Sequence, residues 1–110
     1  MSWVTVCSVD ELPEKELIEM TAGGIDMLLA RAANDVVAIP PLCPHMKEPL
    51  VNGIFDGETL TCLKHLWQWD IASGASMGEA EKPLCRYPAR VKDGCVEVEV
   101  SEVLEYDYEL

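Results

Sequence analysis

The chain reads as an all-β domain, and three features predict this class. Cys95, Glu97 and Glu99 alternate with Val96, Val98 and Val100, the period of two that gives a strand one dry and one wet face. Asp93-Gly94 and Gly23-Gly24 are hairpin signals, since the tightest strand-to-strand turns need positive φ at both central residues. Seven glycines and seven prolines among 110 residues leave little room for helix.

Taken in order, Trp3 to Cys7 is a β-prone run, and Ser8 with Glu11 three positions later matches a capping box. With Pro13 following, that pattern predicts a single helical turn. A second strand is expected over Leu17 to Met20, and Ala22-Gly23-Gly24 turns the chain into a third over Ile25 to Ala32. Asn34-Asp35 turns it again into Val36 to Ile39, completing a meander. The partner of the C-terminal strand is expected over Leu84 to Val91. There Cys85, Tyr87, Ala89 and Val91 share one face, and Pro88 marks an edge or a bulge.

Between these arms, Pro40 to Pro83 breaks the regularity with prolines at 40, 41, 44 and 49 and glycines at 53, 57, 74 and 78. It also holds both histidines, so it reads as an inserted functional loop region. Within it, Thr59-Leu60-Thr61 and the turn at Asp56-Gly57 suit one arm of a hairpin.

Composition narrows the function. One domain is expected at this length, and 49% apolar residues with a mean hydropathy of +0.07 supply a core that a disordered chain lacks. Twenty acidic residues against eight basic ones give a formal charge of -12, a surface that repels phosphate backbones and anionic lipid. Neither nucleic acid nor membrane is expected as a partner. No basic segment precedes an apolar one near Met1, so no signal peptide is expected. The longest uncharged stretch, Val36 to Met46, contains three prolines and is too short to span a bilayer. Five scattered cysteines fit a disulfide framework badly, which points to a reducing cytoplasm.

Cys43-Pro44-His45 and Cys62-Leu63-Lys64-His65 each place one thiol and one imidazole in a short loop, with sixteen residues between the two groups. Thiolate and neutral imidazole together suit a tetrahedral zinc or a 2Fe-2S cluster with mixed ligation. Separate Cys-Cys and His-His hairpins are the habit of zinc fingers. One of each per loop is what a cluster with two Cys on one iron and two His on the other requires.

Cys-x-His, sixteen residues, Cys-x-x-His resembles the Rieske iron-sulfur proteins, and the likeness covers nearly the whole chain. Pro44, Gly53, Gly57, Trp69-Asp70, Ser73-Gly74, Leu84-x-x-Tyr87-Pro88 and Asp93-Gly94 are similar to bacterial Rieske ferredoxins. The resemblance implies one 2Fe-2S cluster, with Cys43 and Cys62 on the inner iron and His45 and His65 on the outer one. It also implies an antiparallel β-sandwich base carrying a smaller cluster-binding subdomain, roughly residues 40 to 83, within a single 1–110 domain. High-potential relatives have two further cysteines where Glu48 and Lys64 stand here, so an ion pair replaces their disulfide. They have Ser and Tyr hydroxyls aimed at sulfur where this chain has Trp67 and Trp69, which implies a low potential.

The run Cys62 to Trp69 is most similar to ferredoxins of multicomponent toluene and alkene monooxygenases. That likeness implies an electron carrier between an NADH-dependent flavin reductase and a carboxylate-bridged diiron hydroxylase that oxidises an aromatic or alkene hydrocarbon. The ferredoxin of an aromatic-ring dioxygenase is the alternative, and a zinc-binding structural module on the same four residues is the alternative of another class. Met46, Pro49 and Leu66 are expected to form an apolar collar for docking. Cys7, Cys85 and Cys95 are expected to be ordinary thiols. No nucleophile, base and oxyanion donor converge elsewhere, so a carrier without independent catalysis, monomeric when free, is expected. The acidic run Glu105 to Glu109 reads as a solvated tail.

Overall fold

The computed structural model describes residues 3–13, 15–32, 35–44, 48–63, 66–78, 80, 82–100 and 104. Among the described residues ten strands form three antiparallel sheets. In chain order they are β1 (Trp3–Ser8), β2 (Ile18–Ala22), β3 (Ile25–Ala32), β4 (Asp35–Ile39), β5 (Ile54–Phe55), β6 (Thr59–Thr61), β7 (Gln68–Asp70), β8 (Ser76–Met77), β9 (Ala89–Lys92) and β10 (Cys95–Glu99). The sheet orders are β1-β10-β9, β2-β3-β4 and β5-β6-β7-β8.

The β2-β3-β4 sheet is the central layer, which explains a run that alternation alone does not. Met27, Leu28, Leu29 and Ala30 are all buried because both faces of β3 are covered. Ile25, Met27 and Leu29, with Val36 and Ala38 of β4, face Val96 and Val98 of the first sheet. Leu28 and Ala30, with Val37 and Ile39, face Leu60, Trp69 and Ile71 of the third. The two outer layers thus share one scaffold, and a backbone seam, Tyr87 N–H to the Ala38 carbonyl at 2.8 Å, ties β4 to the approach of β9.

Both expected hairpins form. Gly23 and Gly24 have φ of 58° and 80°, and Asp93 and Gly94 have 53° and 77°, the positive pair that matches the twist of the flanking strands. The turn after Ser8 is a single 3-10 turn over Val9–Glu11, with the Ser8 hydroxyl accepting from the Asp10 N–H at 3.3 Å.

Two boundaries differ from the sequence expectation. The second strand is Ile18–Ala22 rather than Leu17 to Met20, since pairing continues up to the glycine turn. The strand expected over Leu84 to Val91 is regular only at Ala89–Lys92; Pro88 has no N–H for a ladder, and Leu84 instead donates to the Gly74 carbonyl at 2.9 Å. Val91 is 40% exposed, so the face it was expected to share with Tyr87 is dry only as far as Ala89. Beyond β10, Leu104 packs on the core and donates its N–H to the Tyr87 hydroxyl at 3.0 Å. The run Glu105 to Glu109 lies outside the described residues.

Candidate metal centre

One loop runs from the central sheet to the third and the other joins two strands of the third, and the backbone closes both in the same way. Pro40 and Pro41 end β4, after which the Leu50 N–H reaches the Pro41 carbonyl at 2.8 Å and the Cys43 N–H reaches the Glu48 carbonyl at 2.9 Å. In the second loop the Cys62 N–H reaches the Trp67 carbonyl at 2.8 Å, directly where β6 ends and β7 begins. Each cysteine therefore sits at the neck of a loop whose closing partner is five residues ahead. The histidine position falls inside each closure, two residues after Cys43 and three after Cys62. His45 and His65 themselves lie outside the described residues, as do Met46 and Lys64, so the Glu48–Lys64 pair does too.

Cys43 and Cys62 are 0% and 2% exposed, form no disulfide, and belong to one apolar cluster with Leu50, Leu60, Trp67 and Trp69. Two dry thiols at the necks of matching loops are a suitable donor set for the inner iron. Among the described residues no three Cys, His, Asp or Glu form a metal-holding group, and two of the four expected ligands are not among them. Beside Cys62 a cleft of about 260 Å³ runs between the loops, lined by Glu48, Pro49, Asn52, Gly53 and Leu63.

Three supports of this arrangement were not legible as such in the sequence. The first is Gly53, which ends the short 3-10 turn Leu50–Asn52. A Cβ there would lie 2.3 Å from the Thr61 carbonyl oxygen and 3.1 Å from that of Leu50, so glycine is what lets the first loop's base lie against the strand feeding Cys62. Gly53→Ala is expected to force those backbones apart, costing about 2 kcal/mol and lowering the melting temperature by about 10 °C. A melt unchanged from wild type would show that the close approach is dispensable.

The second is Asp56, whose Oδ1 accepts from the backbone N–H groups of Thr59 at 2.7 Å and Glu58 at 2.9 Å. Those donors hold its carboxyl below the usual carboxylate range, with Lys15 adding a smaller pull. The turn that joins β5 to β6 is thereby fixed by a charge.

The third is the indole N–H of Trp69, which donates to the Lys82 carbonyl at 2.8 Å. Trp69 is fully buried and meets Trp67 edge to face, with centroids 6.3 Å apart at 65°. Its N–H thus anchors the backbone at Lys82. Around the loops, Leu63 and Leu66 are 52% and 66% exposed, and Leu66 has a φ of 56°. Pro49 is exposed as well, so both described members of the expected collar, Pro49 and Leu66, are open.

Cys7, Cys85 and Cys95 are elsewhere. Cys7 is buried in the cluster between the first and central sheets, and burial, with Glu11 and Cys95 adding to it, pushes its thiol up. A neutral buried thiol of this kind is a packing group. No described helix is long and apolar enough to cross a membrane.

Comparison with known proteins agrees with this geometry. The family model of the Rieske [2Fe-2S] domain matches residues 2–88. The chain is 39% identical over 110 residues to the methanesulfonate monooxygenase ferredoxin subunit of Methylosulfonomonas methylovora, covering 99% of this chain and 89% of that one. It is 30% identical over 97 residues to the ferredoxin component of the alkene monooxygenase system of Xanthobacter autotrophicus, covering 87% and 80%. The fold superposes with a TM-score of 0.78 on a complex of reduced oxygenase and oxidized ferredoxin in carbazole 1,9a-dioxygenase, at 23% identity over 94% of this chain and 97% of that one. With most of its length matched by the family model, the chain belongs to the Rieske [2Fe-2S] domain family, and that membership selects one Rieske 2Fe-2S cluster over the zinc reading of the same two loops.

Proposed function

We propose that this protein is the ferredoxin of a monooxygenase system, receiving single electrons from an NADH-dependent flavin reductase and delivering them to the terminal hydroxylase. Cys43 and Cys62 hold the inner iron and His45 and His65 the outer one. The observation that carries this reading is the matched pair of loop closures, Cys43 to Glu48 and Cys62 to Trp67, which sets two buried thiols at equivalent points in one apolar cluster. When bound, the cluster takes up and releases one electron. The chain's own part is to keep water from the two thiols and present the loop tips, with Leu63 and Leu66, to a partner.

Monooxygenation is supported by the relative at 39% identity, a ferredoxin of a monooxygenase system; relatives at 30% and 31% identity divide between monooxygenase and dioxygenase ferredoxins. The diiron class of hydroxylase is what the toluene and alkene monooxygenase likeness implies. An aromatic-ring dioxygenase, the kind of system named for the carbazole structure, is the second reading. A reducing cytoplasm fits five cysteines that form no disulfide, and in this reading the carrier is monomeric when free and has no catalysis of its own.

Reconstitution of electron flow with reductase and hydroxylase tests the reading. Reduction of the ferredoxin by NADH through the reductase, and product formation only when all three proteins are present, are expected. Coupling to a ring-dihydroxylating enzyme instead would move the protein to the second reading. At a net charge of -12, transfer is expected to slow about tenfold between low and high ionic strength as salt screens attraction to basic docking sites. Rates that stay flat would remove steering from the role of the acids.

A further inference from the structure

The loops account for one end of the third sheet, but its outward face is also unusual. The register places Ile54 opposite Thr61, Thr61 opposite Gln68, and Gln68 opposite Met77, so these four residues form one row across all four strands. Paired residues of an antiparallel sheet point the same way. The neighbouring row, with Leu60 and Trp69, is buried against the central layer, so the row of Ile54 and Met77 faces outward. Ile54 is 57% exposed and Met77 39% exposed, and the Gln68 amide is turned to the Thr61 hydroxyl at 3.2 Å. The row carries no charge, although a quarter of the chain is charged.

Its position gives the row a use. Thr61 immediately precedes Cys62 and Gln68 immediately follows Trp67, so the row borders the neck of the second loop. Leu63 and Leu66, two places beyond on either strand, extend the apolar surface over the loop tip. Away from the loops the character changes. Thr59 and Asp70 form the next outward row, and Asp56 and Glu58 occupy the turn beyond it, with Lys15 as the nearby cation. An uncharged centre beside the cluster loops, bordered on its far side by three carboxylates, is the pattern of an interface core with a polar rim.

We propose that this outward face of the β5–β8 sheet, centred on Ile54 and Met77 and continuous with Leu63 and Leu66, docks the terminal oxygenase, whose matching surface presents an apolar patch edged by basic side chains. The proposal rests on the carrier function above and specifies where the partner sits: to one side of the loop tips, along the sheet, rather than on the tips alone. Charge complementarity selects the basic rim, because Asp56, Glu58 and Asp70 then meet cations while Ile54 and Met77 lose their water. The Gln68–Thr61 bond already satisfies one amide N–H, and the Gln68 carbonyl oxygen and Thr61 hydroxyl proton are left to pair with polar groups of the partner.

The test mixes dithionite-reduced ferredoxin with the oxidised cognate oxygenase in a stopped-flow instrument, which leaves the reductase out. Ile54→Lys and Met77→Lys are expected to raise the ferredoxin concentration for half-maximal transfer roughly tenfold or more, as central interface substitutions do, with the limiting rate kept. Ile54→Glu is expected to do less harm than Ile54→Lys, because the rim it meets is basic. Val91→Lys, an equally open apolar position on β9 of the first sheet, is expected to behave as wild type. The EPR signal and midpoint potential of each variant show that the cluster is intact. If wild-type protein transfers normally while Ile54→Lys and Met77→Lys match it, or if Lys and Glu at position 54 are equally harmful, the docking face is overturned and the carrier function stands. If wild-type protein transfers no electron to any oxygenase, the carrier function itself has failed.

Discussion

Cys43→Ser and Cys62→Ser proteins are expected to be purified without the cluster, lacking visible colour, the two irons and the two acid-labile sulfides that wild type should carry. Serine is nearly isosteric, so the loop necks and their backbone closures to Glu48 and Trp67 can persist, but an alkoxide is not available at neutral pH to replace a thiolate. Both thiols are almost completely buried, so no water or neighbouring carboxylate can substitute as ligand without opening the apolar cluster around Leu50 and Leu60. His45→Ala and His65→Ala act on the outer iron, and each is expected to lose the Rieske-type EPR signal of the reduced protein. Cys7→Ser, Cys85→Ser and Cys95→Ser should keep full iron and the full signal, since Cys7 lies in a different apolar cluster from Cys43 and Cys62. Because binding to the folded state alone adds stability, the variants without the cluster should also melt earlier. A full signal in either histidine variant would overturn the ligand set, and one zinc in place of two irons would overturn the cluster. Loss of the signal in any of the other three cysteine variants would mean that the set is incomplete.

The sheet content was legible because its signals are local. Gly23-Gly24 and Asp93-Gly94 dictate where the chain reverses, and the valines of β10 alternate because only one face of an outer sheet is dry. The central strand β3 was found from its turn signals, not from its pattern: a strand covered on both faces has no alternation to read. What failed was local pattern extended past its physical limit. Leu84 to Val91 alternates convincingly, yet its first half is drawn off the ladder by Gly74 and by the seam to Ala38. The candidate ligands were legible from residue type and spacing alone. Their supports were not, since Gly53 matters through its distance to Thr61 and Trp69 through its bond to Lys82, and each of those contacts joins parts of the chain that no short motif relates.

The bond from Trp69 to Lys82 also sharpens the expectation for redox potential. Rieske centres span roughly -150 to +300 mV, and hydrogen bonds to sulfur are one of the main controls. With its N–H given to the Lys82 carbonyl, Trp69 supplies no donor of the kind that the matching Tyr hydroxyl gives in high-potential relatives. The potential is therefore expected toward the low end of the range. Replacing Trp67 by Ser together with Trp69 by Tyr puts hydroxyls back at both positions. A donor aimed at sulfur stabilises the reduced form, which carries more negative charge there, above the oxidised form. If each hydroxyl favours the reduced form by about 1.4 kcal/mol, a tenfold change in equilibrium, the midpoint rises by about 60 mV per bond. Against this stands the loss of two large buried rings that pack edge to face, which is expected to destabilise the fold by several kcal/mol, about 3 or more. The measurement therefore belongs at low temperature, by protein-film voltammetry, on protein whose EPR signal and iron content match wild type. Trp69→Phe separates the two effects, because it removes the Lys82 bond without adding a hydroxyl: its melting temperature should fall while its potential stays near that of wild type. A double variant with intact cluster and a potential equal to or below wild type would show that positions 67 and 69 do not reach the sulfurs, and that the low potential has another origin.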